Sequence, residues 1–189
     1  IWLERETLVL DGVRFVGTTL WTDFDALAED EGSTDLARRL RQRDKAFRAA
    51  NFYLRKTGGT RSGTPFLAAE MREQGLLCQD WLRAALAVPF EGSTVAVTHF
   101  APSLRSADPR YGLVPGTAGF CNALDDCLEE VQLWLHGHLH TPLDYTVQGT
   151  RKGSNNDAAP WQCRVVANPL GYARKGEQNA FIAQHGISL

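Results

Sequence analysis

Two short strand-like runs in this chain each end in a turn that carries histidine. One run covers residues 94–98 and is followed by His99; the other covers residues 131–135 and is followed by segment 136–140, which reads His-Gly-His-Leu-His. His99 by itself could equally be a buried core histidine. However, ligands of open α/β sheets bind beyond the carboxyl ends of the strands, so both runs are expected to bring their histidines to one edge of a sheet.

The second run carries the stronger signal, because imidazoles occur at every second position. Along an extended backbone, residues two apart point to the same face and lie about 6.5 Å from each other. We therefore expect His138 and His140 to face one point, or two metal ions that share a site, since neutral imidazole is the commonest metal ligand in proteins. Gly137 is expected to allow a sharp backbone turn. His136 fits a packing or supporting role within the strand, and His185 a solvated position.

The rest of the chain mixes helix-like and strand-like segments. An Asp-Gly turn between two β-prone runs predicts a hairpin over residues 8–20. Apolar residues at helical spacing predict helices over residues 34–56 and 65–88; the second would be capped by Thr64, with proline in its first turn, and could be dented at Gly75. The remaining predicted elements are a long loop at 101–117, a short helix at 122–130, strands at 143–147 and 164–167, and a polar loop at 150–162. This mixture indicates a layered α/β fold in a single domain, residues 1–189.

Composition excludes several classes of protein. The 189 residues are 43% hydrophobic and their net charge is -2, which gives no general attraction to nucleic acid or to an anionic membrane. No apolar stretch approaches the roughly 20 residues that a membrane-spanning helix needs. The four cysteines show no CxxC spacing, which favours reduced, packed thiols and a cytoplasmic location.

Charge is unevenly distributed near the first predicted helix. Residues 22–37 hold six acidic side chains and no basic one, whereas residues 38–61 hold nine basic side chains and one acidic one. The basic segment could lean over a phosphate-bearing substrate. The favoured interpretation is a solvated helix face that balances the acidic stretch before it.

The histidine segments resemble the last two motifs of the calcineurin-like metallophosphoesterases. The similarity lies in Val-Thr-His-Phe-Ala-Pro at residues 97–102 and Gly-His-Leu-His at residues 137–140. It extends to Leu-Trp-Thr-Asp-Phe at residues 20–24 and Asn-Pro-Leu-Gly-Tyr at residues 168–172, which are similar to a bacterial branch of that family. The resemblance implies a four-layer α-β-β-α sandwich, two central sheets flanked by helices, with a two-metal centre at the strand ends.

By the same resemblance, His99 and His138 would bind one divalent metal ion and His140 the other. The two ions, about 3.5–4 Å apart, would clamp a small phosphomonoester or phosphodiester and activate water for its hydrolysis. Histidine with oxygen donors suits manganese, iron, zinc, nickel or cobalt. Arg105 and Arg110, in the loop after the first histidine, are candidates for bidentate contacts with substrate phosphate.

The chain lacks the three earlier motifs of that family, Asp-x-His, Gly-Asp and Gly-Asn-His-Asp/Glu. These motifs supply the carboxylate ligands and the histidine assigned to protonation of the leaving group, so no catalytic residue is assigned here. Since two dications need anionic oxygen ligands, and the chain opens at Ile1 without methionine, we expect the C-terminal portion of a longer enzyme, inactive alone. Asp23 could substitute as a ligand, but a loop carboxylate that binds backbone is favoured. Asn168 is at most a supporting residue.

Two other interpretations remain. A non-catalytic module could have kept the fold and the histidines but lost the carboxylates, and would act as a scaffold or a binding partner. A cupin-like barrel is disfavoured by the two long predicted helices. The sequence contains neither the nucleophile elbow of serine hydrolases nor a phosphate-binding P-loop. Sequence upstream of Ile1 would separate the enzyme from the non-catalytic module.

Overall fold

The computed structural model describes residues 1–28, 35–152 and 158–189 of the chain. The strands are β1 (Glu6–Leu10), β2 (Val13–Thr18), β3 (Thr60–Arg61), β4 (Thr64–Pro65), β5 (Ser93–Thr98), β6 (Leu133–Leu135), β7 (Leu143–Lys152) and β8 (Ala158–Ala167). The α-helices are α1 (Leu36–Thr57) and α2 (Ala68–Leu86). Short 3-10 helices cover Leu104–Ser106, Pro115–Gly119, Asp125–Glu130, Ala173–Lys175 and Glu177–Ala180.

Six of the strands form one mixed sheet in the order β1-β2-β5-β6-β8-β7, and β3 pairs with β4 in a small separate hairpin. The four inner strands β2, β5, β6 and β8 are parallel, while β1 and β7 pair antiparallel at the two edges. The carboxyl ends of the inner strands therefore meet at one edge of the sheet. The α/β class predicted from the sequence is confirmed. The hairpin that β1 and β2 form around the Asp-Gly turn and the strand predicted at β5 are also confirmed.

One face of the sheet is covered by α2 and by the 3-10 helix Asp125–Glu130. The core on this face is centred on Trp134, which is fully buried. Around it lie aliphatic and sulfur-containing side chains from the inner strands and from the two helices: Val16, Cys78, Leu82, Leu86, Ala96, Leu128, Cys163 and Val165. Removal of these side chains from water stabilises the packing of α2 on the sheet at about 25 cal/mol per Å² of apolar surface.

The opposite face of the sheet is apolar but only partly covered. Its side chains come from the same four strands: Val13, Phe15, Val95, Val97, Leu133, Leu135 and Val166. Ile187 packs against it, and Leu3 lies over Gly17. Phe15, Val97 and Leu135 remain partly exposed.

Helix α2 begins later than the sequence predicts. Thr64 does not cap it, because Thr64–Pro65 pairs with Thr60–Arg61 as β4 of the small hairpin. The helix starts at Ala68 instead, and the Glu70 carboxylate accepts a hydrogen bond from the Leu67 backbone N–H at 3.1 Å. Gly75 does not dent the helix.

The polar loop predicted at 150–162 is also wrong at both ends. Strand β7 continues to Lys152 and strand β8 begins at Ala158, and the two pair along their whole length as one hairpin. Residues 153–157 of the predicted loop lie outside the described residues. Residue 34 of the first predicted helix also lies outside them. The predicted helix at 122–130 is the shorter 3-10 helix Asp125–Glu130. The predicted strand at 131–135 is confirmed only over its last three residues, which form β6. No helix in the described ranges is both long enough and apolar enough to cross a bilayer.

Candidate metal centre

His99 and His138 lie in contact at the carboxyl edge of the sheet. His99 directly follows β5 and His138 comes three residues after β6. The Nε2 atom of His99 is 3.1 Å from the Nδ1 atom of His138. Two nitrogen ligands at about 2.0–2.1 Å from one cation are about 2.8–3.4 Å from each other for ligand–metal–ligand angles of about 90–109°. The contact is a hydrogen bond between the two rings, and its length also matches the separation expected for two ligands of a single metal ion.

A strained turn, and not an extended strand, presents His138. Its φ is +60°, in the left-handed region that costs a non-glycine residue about 1–3 kcal/mol. The backbone N–H of Leu139 donates to the Gly137 carbonyl at 2.7 Å, which closes a three-residue turn around His138. The prediction that alternation along a strand aims His138 and His140 is therefore wrong, and it is His138 that adopts the positive φ, not Gly137.

The surrounding backbone and aromatic rings hold the His138 side chain in place. The Gly137 N–H donates to the His99 carbonyl at 3.1 Å, which ties the two histidine turns together. The His138 ring lies against Phe100 at 4.1 Å between centroids and against Phe120 at 5.3 Å. Phe100 is buried, whereas Phe120 is 42% exposed. Phe120 therefore covers part of the His138 ring at the protein surface.

His136 takes the packing role that the sequence suggested, although it lies just beyond β6 and not within it. It is 7% exposed. Its Nε2 atom is 3.0 Å from the Ser106 hydroxyl, which is also 3.0 Å from the Tyr145 hydroxyl. Its Nδ1 atom is 3.1 Å from the Gly137 carbonyl. His136 thus links the histidine turn to the loop that follows β5.

His140 is turned toward the C-terminal segment. Its Nδ1 atom is 2.7 Å from Oε2 of Glu177, and the backbone N–H of Tyr172 donates to the same oxygen at 2.7 Å. The Tyr172 ring stands edge-on to the imidazole with 4.6 Å between centroids. The N–H bond from Tyr172, followed by the contact with His140, lowers the pKa of Glu177. Sequence reasoning missed Glu177, because no local pattern links it to a histidine 37 residues earlier.

Burial lowers the pKa of three of the clustered imidazoles, those of His99, His136 and His138, which favours their neutral form. Burial, and then the neighbouring charges of His99, His140 and His136, lower the pKa of His138 to about 3. Burial is also the main cause that lowers the pKa of His99 and of His136, with His140 adding to the effect at His99. Neutral imidazoles keep the lone pair that metal coordination requires.

The two candidate phosphate-binding arginines are both held by carboxylates. Arg110 makes a bidentate ion pair with Asp108 and donates to the Thr141 hydroxyl at 3.2 Å, next to His140. This pairing, and a further hydrogen bond from Thr141, lower the pKa of Asp108 to about 2. Arg105 donates to Asp125 at 3.0 Å on the surface. Contact of either arginine with phosphate stays a prediction.

The other polar residues singled out in the sequence have backbone partners. Asp23 accepts a hydrogen bond from the Asp25 N–H at 2.8 Å, as favoured for a loop carboxylate. Asn168, which follows β8, exchanges two hydrogen bonds with the backbone of Ile182 and thereby secures the C-terminal segment.

The basic helix α1 lies beside the loop between His99 and Phe120. Gly116 and Gly119 of that loop approach Ala49 and Ala50 of the helix. One of its basic residues, Arg43, forms an ion pair with buried Asp25, which fits the interpretation that the basic segment balances the acidic one. The acidic residues between 29 and 34 lie outside the described ranges.

A complete set of ligands for a two-metal centre is not found among the described residues. Within residues 1–28, 35–152 and 158–189, no group of three or more histidine, cysteine, aspartate or glutamate side chains is placed to hold a metal ion. The four cysteines are free and buried, and burial raises the pKa of Cys121, Cys127 and Cys163 to about 12, so these three are thiols. Depressions at the opposite edge of the sheet, around Gln132 and Gln162, are not lined by histidine. Comparisons with protein-family models, curated proteins and solved structures find no match to this chain.

Proposed function

We propose that this chain is part of a metal-dependent phosphoesterase, which hydrolyses a small phosphomonoester or phosphodiester with two divalent metal ions. The observation that supports this most is the 3.1 Å separation of the His99 and His138 ring nitrogens at the carboxyl edge of a parallel sheet. Burial lowers the pKa of both rings, and His140 makes a smaller contribution in the same direction. The donor set suits manganese, iron, zinc, nickel or cobalt.

Each residue has a part in this proposal. When bound, the two cations would polarise the phosphoryl group and lower the pKa of a bound water. His99 and His138 would hold one ion and His140 the other. Arg110 would exchange its ion pair with Asp108 for a bidentate contact with phosphate.

The proposal includes a four-layer α-β-β-α sandwich. Its support is the apolar sheet face opposite α2, where Phe15, Val97 and Leu135 are only partly covered. A second sheet packed on this face would bury these side chains and contribute the carboxylate ligands and the proton donor for the leaving group. Those groups would come from polypeptide outside the 189 residues. The buried, reduced thiols support a cytoplasmic location.

One observation favours a different function. The Glu177 carboxylate contacts His140, but among the described residues no group of three or more potential ligands is placed to hold a metal ion. A non-catalytic module that kept the fold and the histidines would have this arrangement, and would serve as a scaffold or a binding partner.

Metal binding by the 189-residue chain tests the proposal. Equilibrium dialysis against buffered zinc or manganese should detect weak binding that a chelator removes easily. His138→Ala should lower the affinity at least tenfold, because it removes one of two ligands to the same ion, whereas His185→Ala, a histidine outside the cluster, should leave it unchanged. Equal metal content in the His138→Ala variant and the parent would contradict the ligand assignment.

Activity separates the enzyme from the non-catalytic module. The 189 residues alone should not hydrolyse bis-p-nitrophenyl phosphate, whereas a longer chain that includes the carboxylate ligands should. His138→Ala or His140→Ala in that longer chain should reduce bound metal and turnover together. Metal binding without turnover in the longer chain would support the non-catalytic module. Robust hydrolysis by the 189 residues would show that the missing carboxylates are not needed.

A further inference from the structure

We infer that Glu177 is a positioning residue, which holds His140 with its proton on Nδ1 so that Nε2 is the atom available to a metal ion. The metal-directed part of this inference rests on the proposed function. The hydrogen-bonding part concerns the protein alone and can be measured without metal.

The geometry around Glu177 defines which ring nitrogen of His140 carries the proton. The carboxylate oxygen Oε2 of Glu177 lies 2.7 Å from Nδ1 of His140. An ionised carboxylate only accepts hydrogen bonds, so Nδ1 must carry the proton. In the neutral imidazole the lone pair is then on Nε2, the nitrogen that faces away from Glu177.

The same oxygen is fixed from the other side by backbone. The Tyr172 N–H donates to Oε2 at 2.7 Å, and the Tyr172 ring lies against the imidazole. Glu177 is therefore held by two donors, and its side chain is only 15% exposed. This anchoring limits rotation of the carboxylate, and through it rotation of the His140 ring.

A glycine makes this arrangement possible. Gly171 has φ +65°, a conformation that glycine adopts without the penalty that a Cβ brings. A Cβ at this position would lie 2.5 Å from Cβ of Glu177 and 2.9 Å from its Oε2. The turn at Gly171 thus brings the Tyr172 N–H and the Glu177 carboxylate together over His140.

A carboxylate on the remote nitrogen of a ligand histidine sets its tautomer and ring orientation and makes the other nitrogen a stronger donor. Loss of such a partner lowers metal affinity by about 10–100-fold. Without Glu177, His140 would be free to rotate and to carry its proton on Nε2. A protonated Nε2 cannot bind a cation.

The first experiment reads the tautomer of His140 in the metal-free 189-residue chain. Long-range ¹H–¹⁵N spectra at pH 8, assigned with His140→Ala, should show a protonated Nδ1 and an unprotonated Nε2. Glu177→Ala should shift the population toward protonated Nε2. Glu177→Gln should retain the parent tautomer, because Tyr172 N–H keeps the amide oxygen at the position of Oε2. The same tautomer in the parent and in Glu177→Ala would overturn the inference.

The second experiment measures cobalt(II) affinity by calorimetric titration of the longer chain that includes the carboxylate ligands, in which His140 would hold its own ion. Glu177→Ala should bind the ion assigned to His140 about 10–100-fold more weakly than the parent, and Glu177→Gln should recover most of that loss. The matched control is Glu129→Ala, which removes a surface partner of Arg151 and should not change the affinity. An equal loss in Glu177→Gln and Glu177→Ala would overturn positioning in favour of direct ligation by the carboxylate.

The two proposals fail in different ways. If the parent chain binds no cobalt, the proposed metal centre and the metal-directed part of this inference are both wrong. If the parent binds cobalt and Glu177→Ala binds it equally tightly, only the role of Glu177 is overturned.

Discussion

The indole N–H of Trp134 donates to the Thr98 hydroxyl at 3.0 Å. Thr98 is the last residue of β5 and directly precedes His99. The Thr98 hydroxyl in turn donates to the Phe100 carbonyl at 2.8 Å. Trp134 and Thr98 are buried, so water cannot replace these bonds. They link the centre of β6 to the turn that carries His99, which is how the core on the helix-covered face determines where the first histidine lies.

Thr98→Val should therefore destabilise the fold and disturb the histidine pair. Valine preserves the shape but leaves the Trp134 N–H buried without an acceptor, which costs about 1–3 kcal/mol of the free energy of unfolding. Urea denaturation at pH 7.5 measures this loss. Thr98→Ser keeps the hydroxyl and should lie closer to the parent than valine does. A valine variant as stable as the parent would mean that the bond contributes no net stability.

Asp25 connects two helices through arginine. Its carboxylate, 4% exposed, binds Arg43 of α1 through two oxygens and accepts a further bond from Arg72 of α2 at 3.0 Å. Asp25→Ala should lower the free energy of unfolding by about 3 kcal/mol, because two guanidinium groups lose a shared buried partner. The matched control is Asp126→Ala, which removes an exposed partner of Arg83 and should cost less than about 1 kcal/mol. Similar losses in both variants would show that burial of Asp25 adds nothing.

Features with a local signal could be predicted from the sequence. The hairpin of β1 and β2 follows from an Asp-Gly turn between β-prone runs, since that dipeptide readily adopts the positive φ values of the turn, as Asp11 and Gly12 do here. The meeting of β5 and β6 at one edge follows from the rule that parallel strands share a carboxyl edge. These two local inferences were enough to bring His99 and His138 to the same region.

Features decided by distant contacts could not be predicted. The positive φ of His138 depends on how Gly137 binds the His99 turn, and alternation along a strand carries no information about it. Glu177 reaches His140 only because the C-terminal segment folds back across the sheet edge. Similarly, Thr64 had the residue type of a helix cap, but pairing in the small hairpin competed with that role.

Gly75 lies within α2, where its low helix propensity is outweighed by the close approach of neighbouring backbone. A Cβ at this position would lie 2.6 Å from the carbonyl oxygens of both Trp21 and Thr22. Gly75→Ala should therefore lower the free energy of unfolding by about 1–3 kcal/mol through overpacking, although alanine favours a helix by about 1 kcal/mol. Gly186→Ala is the matched control, because nothing lies within 4 Å of its added methyl group. An increase in stability on Gly75→Ala would show that the backbone of residues 21–22 can move away cheaply.

Asp108 should make stability depend on pH in the acidic range. Arg110, with a further hydrogen bond from Thr141, lowers the pKa of Asp108 from 3.8 to about 2 in the folded protein. The unfolded chain therefore binds a proton more readily, so the stabilising contribution is complete above pH 3.8 and is lost as the pH falls toward 2. Denaturation of the parent and of Asp108→Asn between pH 6 and pH 2.5 measures this contribution. The difference in stability between the two proteins should be constant above about pH 5 and shrink below pH 3.8, because asparagine does not titrate. A difference that stays constant to pH 2.5 would show that the ion pair with Arg110 does not stabilise the ionised carboxylate.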